Sequence, residues 1–121
     1  MAIDIPPPST EMCEALARAL AHHRAGRTAE ARREYEQLVE AQPTLARAWH
    51  LYGVLLVQTG HAAEAVDAIR RATALQPGDA ASFNDLGNAY LGAGRVDDAI
   101  AAYSRAIDAK PGFADTHAIP Q

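Results

Sequence analysis

The chain has 121 residues, 49% of them hydrophobic and 21% charged, a balance that suits one folded domain and excludes a disordered or multidomain polypeptide. Eleven Lys plus Arg against fifteen Asp plus Glu give a formal charge of −4, with Lys110 the sole lysine, so no basic field exists for nucleic acid and none is expected as a partner. Cys13 is the single cysteine. It excludes an intrachain disulfide and fits the reducing cytoplasm.

In chain order, Met1-Ala2-Ile3-Asp4-Ile5-Pro6-Pro7-Pro8 has neither the basic nor the apolar region of a secretion signal, and no run reaches the roughly 18 apolar residues of a membrane span. A cytoplasmic protein without membrane contact is expected. Ser9 or Thr10, just after the prolines, is placed to cap a first helix. Gly26, Gly60 and Gly94 then stand 34 residues apart, as do Pro43, Pro77 and Pro111. Ala31, Ala65 and Ala99 keep the same period, and so do Tyr35, Ile69 and Tyr103, and Leu38, Ala72 and Ala106. Residues 12–45, 46–79 and 80–113 are therefore three repeats, between a Pro-rich leader at 1–11 and a remainder at 114–121.

Within each repeat two stretches with apolar residues three and four apart flank the glycine. In the second they run from Ala46 to Thr59 and from Ala62 to Gln76. Glycine ends the first helix (A) because it adopts a left-handed cap without a Cβ penalty. Proline ends the second (B) because it lacks the next hydrogen-bond donor and disfavours helix in the residue before it. Asp79 is expected to cap the third A helix, and Asp97 and Asp98 to sit in the first turn of the third B helix, where negative charge suits the helix dipole. Small residues, Gly53 and Gly87 on A and Ala31, Ala65 and Ala99 on B, mark close crossings. Trp49 and Phe83, Tyr52 and Leu86, and Leu56 and Tyr90 fill the space around them. The expectation is an all-α stack of helix-turn-helix hairpins, each burying its apolar face only against its neighbours.

Phe83, Leu86-Gly87, Tyr90, Gly94, Ala99, Tyr103, Ala106 and Pro111 together resemble the tetratricopeptide repeat (TPR) pattern. Trp49, Tyr52-Gly53, Leu56, Gly60, Ala65, Ile69, Ala72 and Pro77 repeat it with apolar exchanges, and Gly26, Ala31, Tyr35, Leu38 and Pro43 carry it in the first unit. Arg18 and His22 depart from it, which suits a terminal helix that faces solvent. The resemblance, similar to the N-terminal repeat regions of bacterial TPR proteins, implies a right-handed α-solenoid with a concave groove lined by the A helices. It implies an adaptor or scaffold that binds a peptide or helix of a partner protein, and not an enzyme. Carried over by position, the groove residues are Leu16, Leu20 and His23; Arg47, His50, Val54 and Val57; and Ala81, Asn84, Asn88 and Leu91. Leu20, Val54 and Leu91 serve equally well as packing between A helices. Asn84 and Asn88, one turn apart, offer donor and acceptor to a peptide backbone.

Chaperone-tail-binding relatives resemble one another in clamping a terminal carboxylate with Lys, Asn, Asn, Lys and Arg. Here Leu16, Leu20, Leu51, Ala81 and Asp85 stand at those positions, and Asp85 would repel an acidic tail. An amphipathic helix or mixed peptide fits better. No cofactor or metal is expected: adjacent His22 and His23 diverge by about 100° on a helix, Cys13 lacks an identified base, and Glu30, Arg33, Glu34 and Glu36 read as a solvated face. Residues 114–121 begin in phase as a fourth A helix and meet Pro120, so they form a truncated helix or short cap. Ile100, Tyr103 and Ile107 are then expected to be largely bare. Two alternatives follow: self-association of that face about a two-fold axis, giving a homodimeric scaffold, or service as the N-terminal recognition part of a larger enzyme such as a TPR-containing glycosyltransferase.

Overall fold

The computed structural model describes residues 9–109. It consists of six helices: α1 (Thr10–Arg24), α2 (Thr28–Ala41), α3 (Ala46–Gln58), α4 (Ala62–Leu75), α5 (Ala80–Gly92) and α6 (Val96–Ala109). The second hairpin departs from its expected limits by one residue at the end of each helix. The leader up to Pro8, Pro111 as a helix stop, and the partial helix or cap at 114–121 lie outside the described residues.

Caps explain the boundaries. The Ser9 hydroxyl accepts from the Met12 N–H at 3.2 Å, and the Asp79 carboxylate accepts from the Ala81 N–H at 3.2 Å and the Ser82 hydroxyl at 2.8 Å. Gly26, Gly60 and Gly94 adopt φ of 82°, 83° and 78°. After each, the next amide reaches back five residues, Arg27 to His22 (2.9 Å), His61 to Leu56 (2.7 Å) and Arg95 to Tyr90 (2.8 Å), closing the C-terminus of each A helix by the same motif. Helices α2 and α4 end two residues before Pro43 and Pro77.

Hairpins pack α1 on α2, α3 on α4 and α5 on α6, and successive hairpins join through α2 with α3 and α4 with α5. The core is one continuous cluster from Ala19 to Ala106. Leu55, Leu56 and Ile69 are almost wholly buried, each worth roughly 1.5–3 kcal/mol in removed apolar surface. Glycine columns set the interhelical spacing: a Cβ on Gly87 would lie 2.5 Å from the Tyr103 ring, and one on Gly53 would run into Ile69, 2.9 Å from its Cδ1. Helices α1 and α3, and α3 and α5, also touch, whereas no comparable contact joins α2 with α4 or α4 with α6 among the described residues. A row that packs more closely than its counterpart lies on the inside of the curve, so the A helices line the concave side of the solenoid.

Glu34 departs from its expected place on a solvated face. It stands at the phase of Ala68 and Ala102 and turns its carboxylate toward α1. Oε1 accepts from Arg18 Nε at 3.2 Å, and the buried Oε2, with no hydrogen-bond donor of its own, lies 3.7 Å from His22 Nε2. His22 Nδ1 accepts from Arg27 Nε–H at 2.8 Å, which assigns the ring proton to Nε2, facing Glu34. The polar residues that depart from the repeat pattern are thus one another's partners. Glu36 accepts from the Tyr52 hydroxyl at 3.0 Å and from Arg32 Nε at 3.1 Å, tying repeat one to repeat two.

Candidate functional site

The A-helix side collects every expected groove residue, and none is fully buried. Leu16, Leu20, His23, His50, Val54, Val57 and Asn84 are half-buried, while Arg47, Ala81, Asn88 and Leu91 are exposed. Leu16 and Val57 pack against the core cluster with one flank, so the apolar residues belong partly to the packing and partly to the open face.

Two histidines fasten neighbouring A helices on this side. His23 Nε2 meets Gln58 Oε1 at 2.6 Å while its Nδ1 meets the Tyr35 hydroxyl at 3.0 Å. Burial pushes the Tyr35 phenol up to about 12, so its hydroxyl stays protonated and donates to Nδ1, leaving the imidazole proton on Nε2 for Gln58. His50 Nε2 pairs with the Asp85 carboxylate in the same way between α3 and α5. Each clasp joins a residue to one 35 positions later. One stands at the C-terminal ends of its two helices and the other close to the middle of its pair. Both occupy histidine nitrogens that could otherwise have held a ligand. Among the described residues no group of three or more His, Cys, Asp or Glu side chains is placed to hold a metal ion.

The amide pair is asymmetric. The Tyr103 hydroxyl, whose pKa burial raises, donates to Asn88 Oδ1 at 2.5 Å, which leaves the Asn88 amino group facing outward as a donor. Asn84 sits one turn earlier on α5. With Arg47 on α3 the face offers donors at several places, while Asp85 has its charge engaged by His50.

On the opposite side, Arg71 stacks 4.9 Å from the centroid of Trp49 and Arg105 4.9 Å from that of Phe83, a pair repeated with the 34-residue period. Repeat one has Ala15 and Gln37 at those positions. Met12, Ala15, Leu38 and Ala41 there border an apolar notch of about 230 Å³, and hollows of similar volume lie beside Trp49 with Arg71 and Phe83 with Arg105. Cys13 is exposed. On the last helix Ile100 and Ile107 are exposed, whereas Tyr103 is half-buried with its ring over Gly87.

The histidine clasps and the Arg18–His22–Glu34 cluster escaped sequence reasoning. The clasps join residues on different helices, for which a repeat period gives no rotation. For Glu34 a signal existed: it is the one acid in a column otherwise Ala68 and Ala102.

No curated protein matches the sequence. Solved structures do. The first TPR of Spaghetti (RPAP3), bound to the HSP90 peptide SRMEEVD, superposes with a TM-score of 0.81 at 18% identity, covering 89% of this chain and 86% of that one. A MamA structure, AMB-1, gives a TM-score of 0.77 at 21% identity over 85% of this chain and 61% of its own, and MamA 41-end from Desulfovibrio magneticus RS-1 gives 0.77 at 22% over 83% and 56%. The chain therefore spans less than two thirds of these MamA chains, and at such identities the likeness is one of fold. Among the described residues no helix is long and apolar enough to cross a membrane. The sequence matches the tetratricopeptide repeat family over residues 16–80 and 53–114. With the 34-residue columns, the three left-handed glycines and six paired helices, the chain belongs to the tetratricopeptide repeat family.

Proposed function

We propose that this solenoid is a protein-interaction module that holds a peptide or helix of a partner protein against α1, α3 and α5, and that it does so by binding without catalysis. The observation that supports this most directly is the accessible row of Leu16, Leu20, Val54, Val57 and Leu91, flanked by the donors of Arg47 and Asn88, on helices fastened by two histidine clasps. Apolar side chains at helical spacing suit the apolar face of an amphipathic helix. The amide donors suit carbonyls or polar groups beside it.

The ligand differs in chemistry from the SRMEEVD peptide of the RPAP3 structure. The positions that would clamp a terminal carboxylate carry Leu16, Leu20, Leu51, Ala81 and Asp85, so nothing there neutralises an acidic end. The reading is tested with peptides selected by display against the full chain. Replacing Arg47, Asn84 and Asn88 with alanine is expected to weaken the selected peptides at least tenfold, about 1.4 kcal/mol, with the circular dichroism unchanged and a melting temperature lowered only by the loss of the Tyr103–Asn88 hydrogen bond. Unchanged affinity removes this face from the account.

A second reading rests on the last helix, where Ile100 is 59% and Ile107 46% exposed. That face serves association with another copy of the chain. Tyr103 contributes only its outer edge.

A further inference from the structure

The repeat gives a direct measure of what α6 lacks. Val66 on α4 is the counterpart of Ile100 and is 2% exposed against 59%; Thr73 is the counterpart of Ile107 and is 8% exposed against 46%. The difference between the two helices is α5, which lies on α4 and has no described equivalent on α6. A Cβ on Gly92 would stand 3.0 Å from the Ala62 Cβ, so the end of an A helix crosses the start of the preceding B helix.

Among the described residues the outer face of α1 is open in the complementary sense. Ala21 on α1 is the counterpart of Leu55 and Ala89, which are 1% and 0% exposed, yet Ala21 is exposed, and so is its neighbour one turn earlier, Ala17. This outer face of α1 carries the small Ala17 and Ala21 between the charged Glu14 and Arg24, where a preceding B helix would lie. Arg24 near the end of α1 is the counterpart of Gly92, and Val96 at the start of α6 that of Ala62. The crossing seen between α4 and α5, carried forward one repeat, would therefore set Arg24 of one molecule beside Val96 and the exposed acid Asp97 of another.

From these two faces we infer that the chain stacks on itself head to tail, α1 of one copy lying on α6 of the next as α5 lies on α4. This rests on the self-association reading of α6 and not on the groove reading. A two-fold pairing of α6 with itself is the poorer solution, because it sets the acids Asp97 and Asp108 of one copy against those of the other, whereas α1 brings Arg24 beside its one acid there, Glu14. The contact is heterologous, so it leaves a free face at each end and generates chains instead of closing at a dimer. Glu14, at the column of buried Ala48 and Ser82, keeps the contact weak, and association is expected to rise with concentration.

Two exposed positions test it in the full chain: Ile100→Asp blocks the α6 face and Ala21→Glu blocks the α1 face. Both variants should keep the circular dichroism of the parent, since each side chain points to solvent. Light scattering after size exclusion should show the parent passing from monomer through dimer to longer species, and each variant alone as a monomer. An equimolar mixture of the two variants should recover a dimer and nothing larger, because one open head still meets one open tail. An Ala21→Glu variant that still dimerises alone would leave self-association standing through α6 and overturn the head-to-tail geometry, as would a mixture that stays monomeric while the parent dimerises. A parent that is monomeric at every concentration would overturn both, with the groove reading untouched.

Discussion

In repeat two the first helix meets the second through Tyr52 and Leu56 against Ala68; in repeat one the same three columns hold Arg18, His22 and Glu34. The backbones nevertheless form the same hairpin, with the same left-handed glycine cap between the helices. The middle repeat is covered on both sides and uses apolar contact throughout. Among the described residues the first repeat has no helix on its outer side, and an ion pair survives there because Arg18, 63% exposed, keeps most of its hydration while Glu34 gives up part of its own. Repeat architecture therefore fixes the path of the chain through its caps and small residues, and leaves the chemistry of the seam free to follow exposure.

The strongest way to break this equivalence is at a crossing shared by all the repeats. Ala65 is fully buried, and its carbonyl would stand 3.5 Å from a Cβ on Gly53. Ala65→Leu should cost about 1 to 3 kcal/mol through overpacking, read as a lower denaturation midpoint. An unchanged midpoint would mean that the hairpin opens freely and that the small columns do not set its spacing.

The comparison sharpens if repeat one is given the chemistry of repeat two. Arg18→Leu, His22→Leu and Glu34→Ala together should leave stability equal or raise it by about 1 to 2 kcal/mol, since a desolvated carboxylate oxygen without a donor is replaced by apolar contact. Glu34→Ala alone should cost about 1 kcal/mol, as Arg18 loses its acceptor and a gap opens between α1 and α2. A triple variant less stable than the single one would show that the cluster adds more than an apolar seam can.

The smallest effect at neutral pH concerns Tyr35. Its pKa is pushed up to about 12 by burial, and that of Tyr52 to about 12 by burial and the hydrogen bond to Glu36. An unfolded tyrosine ionises near 10, so between about pH 10 and 12 the unfolded chain releases protons that the folded one retains. Stability is then complete below about pH 10 and falls as pH rises toward 12. Tyr35→Phe should cost at most about 1 kcal/mol at pH 7 and make the decline between pH 10 and 12 shallower. An unaltered alkaline slope would show that Tyr35 takes no part in it.

Much of the fold was legible because it is written in local chemistry repeated three times. Ser9, Asp79 and the three glycines announce helix ends by their own backbone preferences, and the alanine and glycine columns announce where helices cross. Each needs only its own neighbourhood in sequence to be read. The candidate groove positions came from the family resemblance, carried from unit to unit by the repeat phase. The groove's internal bonding was not legible: His23 reaches Gln58 and His50 reaches Asp85 only because α1, α3 and α5 lie side by side at one particular rotation. Glu34 was misread for a related reason. Its neighbours Glu30, Arg33 and Glu36 look outward, and only the comparison with Ala68 and Ala102 separates it from them.

Trp49 is the only tryptophan in the chain; its indole N–H donates to the Pro43 carbonyl at 2.8 Å, and its ring lies under Arg71. That hydrogen bond spans the turn between the first hairpin and the second, so the tryptophan fluorescence of this protein, excited apart from its four tyrosines, comes from a single joint of the array. Release of the first hairpin would shift the emission while much of the helical circular dichroism remained. A difference between the two unfolding curves would thus reveal how far the three repeats melt one after another, with no label added.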